Sequence, residues 1–146
     1  MKIKQLSVFL ENKPGRLSVP CKALARAGLS ILTLSLADTR QFGILRLVLR
    51  EWEKGRQVLE AAGCVVNVTE VIAIEVADRP GGLAEVLEII ESAGMNLEYM
   101  YAFTFGSQDK AILVFRFEDP DAAIRLLRAK GVNVIDSVGL YDRAKR

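Results

Sequence analysis

Asp78-Arg79-Pro80-Gly81-Gly82-Leu83 is the stretch that decides the fold. The residues before it, Val71-Ile72-Ala73-Ile74-Glu75-Val76, have the β-branched content and partial alternation of a strand. After it, Leu83, Val86, Leu87 and Ile90 recur at helical spacing. The stretch is therefore a strand-to-helix turn. Pro80 suits a first helical turn, where a missing N–H costs little. Gly81 and Gly82 leave backbone N–H groups open to a close neighbour. A helix N-terminus presented in this way attracts anions, and the Asp78 carboxylate stands beside it. Taken alone, the stretch reads more readily as a capped turn that binds nothing.

The turn occurs twice. Asn12-Lys13-Pro14-Gly15-Arg16-Leu17 lies 66 residues earlier, and the same offset carries Ala27-Gly28 onto Ala93-Gly94. After a two-residue insertion the offset becomes 68, which carries Ile44-Leu45 onto Ile112-Leu113 and Gly63 onto Gly131. The chain is two copies of one unit, spanning residues 1–70 and 71–146. A unit of about 70 residues has a marginal core, so each copy is expected to lean on the other or on a second chain.

Taken in order, Ile3 to Leu10 reads as a strand and Leu17 to Gly28 as a helix. Pro20 falls inside that helix, just past its first turn, and is expected to bend or loosen the helix start. Leu29 to Ala37 and Ile44 to Leu49 read as a strand hairpin turning at Asp38 to Phe42. Trp52 to Ala62 is a helix with Trp52, Val58, Leu59 and Ala62 facing inward, and Val65 to Glu70 is the fourth strand. The second copy repeats this order: strand to Ala77, helix Pro80 to Ala93, and strand Met95 to Phe105. A lengthened hairpin turn follows at Gly106 to Lys110, then strand Ala111 to Phe117, a helix from Asp119-Pro120 to Lys130, and a last strand Val132 to Leu140. No linker separates the copies, since Val65 to Val76 reads as nearly continuous strand. Each copy is thus β-α-β-β-α-β, the ferredoxin-like order, with both helices on one face of an antiparallel sheet. The fold class is α+β, with two such units packed side by side.

Each copy resembles an ACT domain, the small regulatory amino-acid-binding module of metabolic enzymes. The residues that carry the resemblance are the two turns and the segment Ala93-Gly94-Met95-Asn96-Leu97. The resemblance covers the whole chain twice and implies a stand-alone tandem ACT protein with no catalytic domain attached. It implies that ACT units pair side by side and hold a free amino acid at the seam, near the first strand-to-helix turn. It places the ligand contacts at Asn12, Lys13, Pro14, Gly15, Arg16 and Leu17, and at Asp78, Arg79, Pro80, Gly81, Gly82 and Leu83. Asn96 falls on the asparagine that opens the second strand, and Ser30 stands at that position in the first copy. Serine is shorter and has fewer polar atoms. The second copy is therefore expected to be the stronger site, pairing Asp78 with Asn96. In physical terms, N–H groups after Pro80 would receive the ligand carboxylate, and Asp78 with the Asn96 oxygen its ammonium.

Composition narrows the alternatives. Lys and Arg number 20 against 18 Asp and Glu, a net charge of +2, which gives no basic field for nucleic acid. The basic end Arg143-Ala144-Lys145-Arg146 reads as a solvated tail. Tyr99, Tyr101, Phe103 and Phe105 form an aromatic stripe suited to core or interface packing rather than to RNA stacking. The absence of histidine removes the commonest general base and metal ligand. Cys21 and Cys64 have no C-x-x-C spacing and read as reduced, half-buried residues of a cytosolic protein. No secretory signal or apolar stretch of about 20 residues is present. The expectation is a cytoplasmic, non-catalytic regulator without metal or cofactor. Its partners would be an amino acid, a second copy of the chain as a homodimer, and a metabolic enzyme, with no membrane or nucleic acid. The alternative is a structural module whose units only dimerise.

Overall fold

The computed structural model describes every residue except Thr39, Lys145 and Arg146, and leaves the side chains of Asp38 and Ser107 undescribed. Among the described residues twelve elements follow one another, and the chain divides into two compact units. The N-terminal unit is Lys4–Thr69, and the C-terminal unit is Glu70–Arg146 joined by Met1–Ile3. Lys2 is tied into the latter by ion pairs to Glu70 at 3.4 Å and Asp121 at 3.3 Å.

The N-terminal unit contains β1 (Ile3–Glu11), α1 (Ser18–Arg26), β2 (Thr33–Asp38), β3 (Phe42–Val48), α2 (Trp52–Ala61) and the start of β4 (Val65–Ala77). Its strand order is β2-β3-β1-β4. Alternation on β1 and β3 sends Leu6, Val8, Leu45 and Leu47 to one face, where Leu24 of α1 and Leu59 of α2 close the core. Each such leucine is fully or almost fully buried, which contributes about 1.5–3 kcal/mol relative to exposure. Ala62, expected to face inward, is exposed.

The C-terminal unit continues β4 and adds α3 (Gly82–Ser92), β5 (Leu97–Ser107), β6 (Lys110–Phe117), α4 (Pro120–Ala129), β7 (Val134–Ile135) and α5 (Ser137–Ala144). β6 and β7 pair with β4 and β5 pairs with β6, all antiparallel. Ile72, Ile74, Leu113, Phe115 and Phe117 meet Val86 and Ile90 of α3 and Leu127 of α4 in the core. Both units therefore carry the β-α-β-β-α-β order with an antiparallel sheet. Asp119 caps α4, its carboxylate accepting the Ala122 N–H at 3.1 Å, with Pro120 at the first helical position.

Several expectations are corrected. The end of the chain is not a strand over Val132–Leu140: only Val134–Ile135 is strand, and Ser137–Ala144 is helix. Asp136 makes the switch, its carboxylate accepting the Gly139 N–H at 2.7 Å and its carbonyl the Leu140 N–H at 2.9 Å. Arg143 is consequently not part of a solvated tail but pairs with Glu75 at 2.7 Å; Lys145 and Arg146 lie outside the described residues. Glu75 alternates with Ile74 and Val76 of the core, so α5 covers the sheet face opposite α3 and α4. Tyr99 and Tyr101 pair with Arg116 and Val114 on that same face and are half-buried, while Phe103 is buried.

The two-residue insertion is not in the hairpin turn. Ser107 pairs with Lys110, so the turn is Gln108-Asp109, with Gln108 left-handed at φ 53°. The extra residues sit within β5, where the register shifts between Ala102 and Gly106. In the first hairpin the turn expected at Asp38 to Phe42 includes Thr39, which lies outside the described residues, and β3 already begins at Phe42. β2 begins at Thr33 rather than Leu29, and β5 at Leu97 rather than Met95. Pro20 lies inside the first turn of α1, not past it, because α1 itself starts only at Ser18. There its missing N–H is one that no helical partner would have used.

Candidate functional site

The two strand-to-helix turns share one backbone plan. Lys13 N–H donates to Glu11 O at 2.9 Å, as Arg79 N–H does to Ala77 O at 3.0 Å. Arg16 N–H donates to Lys13 O at 3.2 Å, as Gly82 N–H does to Arg79 O at 3.0 Å. Asn12 N–H is held by Gln41 O at 2.9 Å, and Asp78 N–H by Asp109 O at 2.7 Å, which anchors each turn to its own hairpin. Gly15 and Gly81 both take left-handed backbone, φ 87° and 86°, where a Cβ would be strained. The sequence offset is thus a structural one, bond for bond.

The side chains differ. Residues 11–17 and 78–81 are all exposed. Gly82 is buried, and a Cβ there would meet Ala77 O at 2.0 Å, so only glycine lets the helix start tight against the strand end. Arg16 occupies that position in the first turn, and α1 accordingly begins two residues later in register than α3. Leu83 packs on the C-terminal core, whereas Leu17 is 42% exposed. Arg79 is spent locally, Nη2 donating to both Glu85 carboxylate oxygens at 2.8 and 3.0 Å. Lys13 lies 3.2 Å from Glu11, and its hydrogen bond and charge, helped by Arg16, hold the Glu11 carboxyl below the usual carboxylate range. Asn12 Nδ2 donates to Arg40 O at 3.3 Å. The Gly82 N–H, counted on for an anion, is already used by the turn.

Asp78 and Asn96 are not brought together within the C-terminal unit. Asp78 precedes α3 and Asn96 follows it, and eleven helical residues separate the two ends by roughly 16 Å. Ser30 stands in the same relation to Asn12 across α1. Asn96 instead lines a shallow cavity of about 260 Å³ with Met95, Phe117, Glu118 and Asp119. One amino acid therefore does not touch Asp78 and Asn96 of the same unit.

A cleft that sequence reasoning missed lies beside the first turn. It measures about 380 Å³ and is walled by Phe9, Val19, Phe42 and Val65, with Glu11 and Arg16 at its edge. Cys64 also lines it, and burial pushes its thiol pKa up, which disfavours the thiolate. Among the described residues no group of three or more His, Cys, Asp or Glu could hold a metal ion.

A family model described as an ACT domain pair matches residues 1–142. The chain belongs to the ACT domain pair family. ACT domains are regulatory rather than catalytic modules. A solved protein from Bacteroides thetaiotaomicron is 36% identical, covers 97% of this chain and 96% of its own, and superposes with a TM-score of 0.89. The ligand-free regulatory subunit of aspartate kinase from Thermus thermophilus shares the ACT fold at 15% identity, covering 88% of this chain and 93% of its own with a TM-score of 0.63. Escherichia coli aspartokinase III, solved with lysine and aspartate, matches over 88% of this chain and 31% of its own at 16% identity and a TM-score of 0.51. A search of curated proteins finds no match. No helix among the described residues is long and apolar enough to cross a membrane.

Proposed function

We propose that this ACT pair is a cytoplasmic regulatory protein that binds a free amino acid at its strand-to-helix turns and passes the signal to a metabolic enzyme. The observation that carries this is the doubled turn: an exposed polar residue, Asn12 or Asp78, stands on a backbone hydrogen-bonded to its neighbouring hairpin. A rigid loop holding a solvent-facing polar group is a pre-formed contact, and binding there costs little ordering entropy. The opposite-end placement of Asp78 and Asn96 fits a ligand held where ACT units meet, and we assign the second unit to another copy of the chain, in a homodimer. The signal is then a coupling free energy between ligand and assembly or partner. A thermal-shift screen of the twenty amino acids tests this. A ligand at 100 times its dissociation constant adds about 2.7 kcal/mol to the folded state. No shift with any of them sinks the reading.

A second reading rests on β2. It is an edge strand, and Leu34 and Leu36 on it are 50% and 49% exposed. A module that only dimerises would cover this edge with a second copy. Such a protein sediments as a dimer yet gains no stability from any amino acid.

A further inference from the structure

The residues that wall the cleft beside the first turn are replaced in the other unit. Carried by the repeat, Phe9 becomes Glu75, Phe42 becomes Lys110, and Val65 becomes Asn133. There the Asn133 amide donates to Glu75 Oε1, and Arg143 of α5 reaches the same carboxylate at 2.7 Å, so the site is closed by the unit's own polar groups. In the N-terminal unit Phe9, Phe42 and Val65 are 42%, 58% and 64% exposed around an open cleft. The charged rim is also peculiar to this unit, since Glu11 and Arg16 become Ala77 and Gly82. A volume of about 380 Å³ falls within the range of small-molecule sites.

We propose that the N-terminal unit carries the amino-acid site and takes a zwitterion with a large apolar side chain. The Glu11 carboxylate receives the ammonium, the Arg16 guanidinium pairs with the carboxylate, and the side chain lies between Phe9, Phe42 and Val65. This rests on the reading of the chain as an amino-acid sensor. Arg16 suits the task because its planar fork donates two parallel bonds to a carboxylate. The walls are aromatic and β-branched and offer an aliphatic or aromatic side chain apolar contact on more than one side. A cationic or anionic side chain would be desolvated there with no partner. At the glycyl turn of the C-terminal unit Ala77 and Gly82 replace Glu11 and Arg16, Arg79 is already paired with Glu85, and Glu75, Lys110 and Asn133 replace the apolar walls.

The test is titration calorimetry of the full chain with L-phenylalanine, L-leucine, glycine, L-lysine and L-aspartate. Binding of phenylalanine or leucine, at least tenfold tighter than glycine, lysine or aspartate, is expected. Phe42→Lys and Val65→Asn install the residues of the other unit at exposed positions, so the fold, checked by circular dichroism, is kept. Each is expected to weaken binding tenfold or more. In a Cys21→Ser background the bound amino acid is also expected to slow N-ethylmaleimide labelling of Cys64 several-fold. If a polar amino acid binds instead, or if binding survives both substitutions and is lost in Asp78→Ala, the cleft is the wrong site while the sensor reading stands. If none of the twenty amino acids binds, both fall. If the two substitutions change the sedimenting mass and leave amino-acid binding alone, the cleft is a protein contact and the proposal is overturned.

Discussion

The two units make the same backbone turn and finish it differently. In the C-terminal unit Gly82 lets α3 begin tight against Ala77, Leu83 enters the core, and α5 folds over the far face of the sheet. In the N-terminal unit Arg16 takes the glycine position, α1 starts later, Leu17 stays outside, and the corresponding strand positions are apolar and exposed. The contrast shows that two copies of one backbone plan can be packed differently. One copy packs Gly82, Leu83 and its sheet end inward, and the other leaves the matching positions open. A duplicated site need not be two sites, because each copy is free to bury what the other uses.

The largest effect is expected where α5 covers the C-terminal unit. Leu140 is fully buried. Leu140→Ala is expected to lower stability by about 2–5 kcal/mol in urea denaturation, the cost of removing a buried leucine. Val138 on the same helix is 67% exposed, and its alanine variant is expected to stay within about 0.5 kcal/mol of wild type. Equal small effects for both would mean that α5 is an appendage and that the two units are finished alike.

Next comes the turn itself. Gly82→Ala puts a Cβ against the Ala77 carbonyl, which neither backbone can yield cheaply. A loss of about 1–3 kcal/mol is expected, against a change within about 0.5 kcal/mol for Arg16→Ala at the matching place. Chemical denaturation of both variants without ligand gives the comparison directly. A neutral Gly82→Ala would show that the two turns are interchangeable after all.

Much of this was legible in the sequence. The repeat found the two turns because glycine is needed where φ is positive, at Gly15 and Gly81, and that requirement leaves a residue type behind. The order of strands and helices along the chain followed from alternation and helical spacing, and the insertion was detected from the change of offset. Its position was misread, because a bulge in β5 and a longer hairpin turn shift the offset equally. α5 was missed because Val134, Ile135, Val138 and Leu140 satisfy a strand pattern, and only the Asp136-Ser137 cap argues otherwise. That Asp78 and Asn96 do not meet within one unit has another cause. Resemblance carries residue types to positions but not the unit that each serves. The cleft was invisible because a lone phenylalanine on a strand, such as Phe9, is ordinary until its neighbours are known.

The Asp136 cap is a smaller lever on the same contrast. Its carboxylate accepts the Gly139 N–H at 2.7 Å and starts the helix that the N-terminal unit lacks at this point. Asp136→Ala is expected to cost about 1 kcal/mol in thermal unfolding, and Asp136→Asn only part of that, since asparagine caps almost as well. If both variants match wild type, the helix is held by Leu140 alone.

The smallest expected effect concerns Cys64, whose counterpart in the other unit is Val132. Burial raises the Cys64 thiol pKa in the folded chain above its value in the unfolded one. The sign follows from proton linkage: between those two values the unfolded chain has released a proton that the folded chain still holds. The stabilising contribution is therefore complete below the unfolded thiol pKa, about 8.5, and declines as pH rises through the folded value. Cys64 is only half-buried, so solvent screens the effect and the decline is modest. Cys64→Val, which copies the C-terminal unit, is expected to flatten this alkaline limb in urea titrations between about pH 8 and 10.5, a window that brackets the ordinary thiol value. It is expected to leave stability near neutrality almost unchanged, because cysteine here packs as a small hydrophobe beside the cleft. An alkaline decline that persists in Cys64→Val would assign it to the lysines and tyrosines instead, and this difference between the two units would then carry no pH dependence.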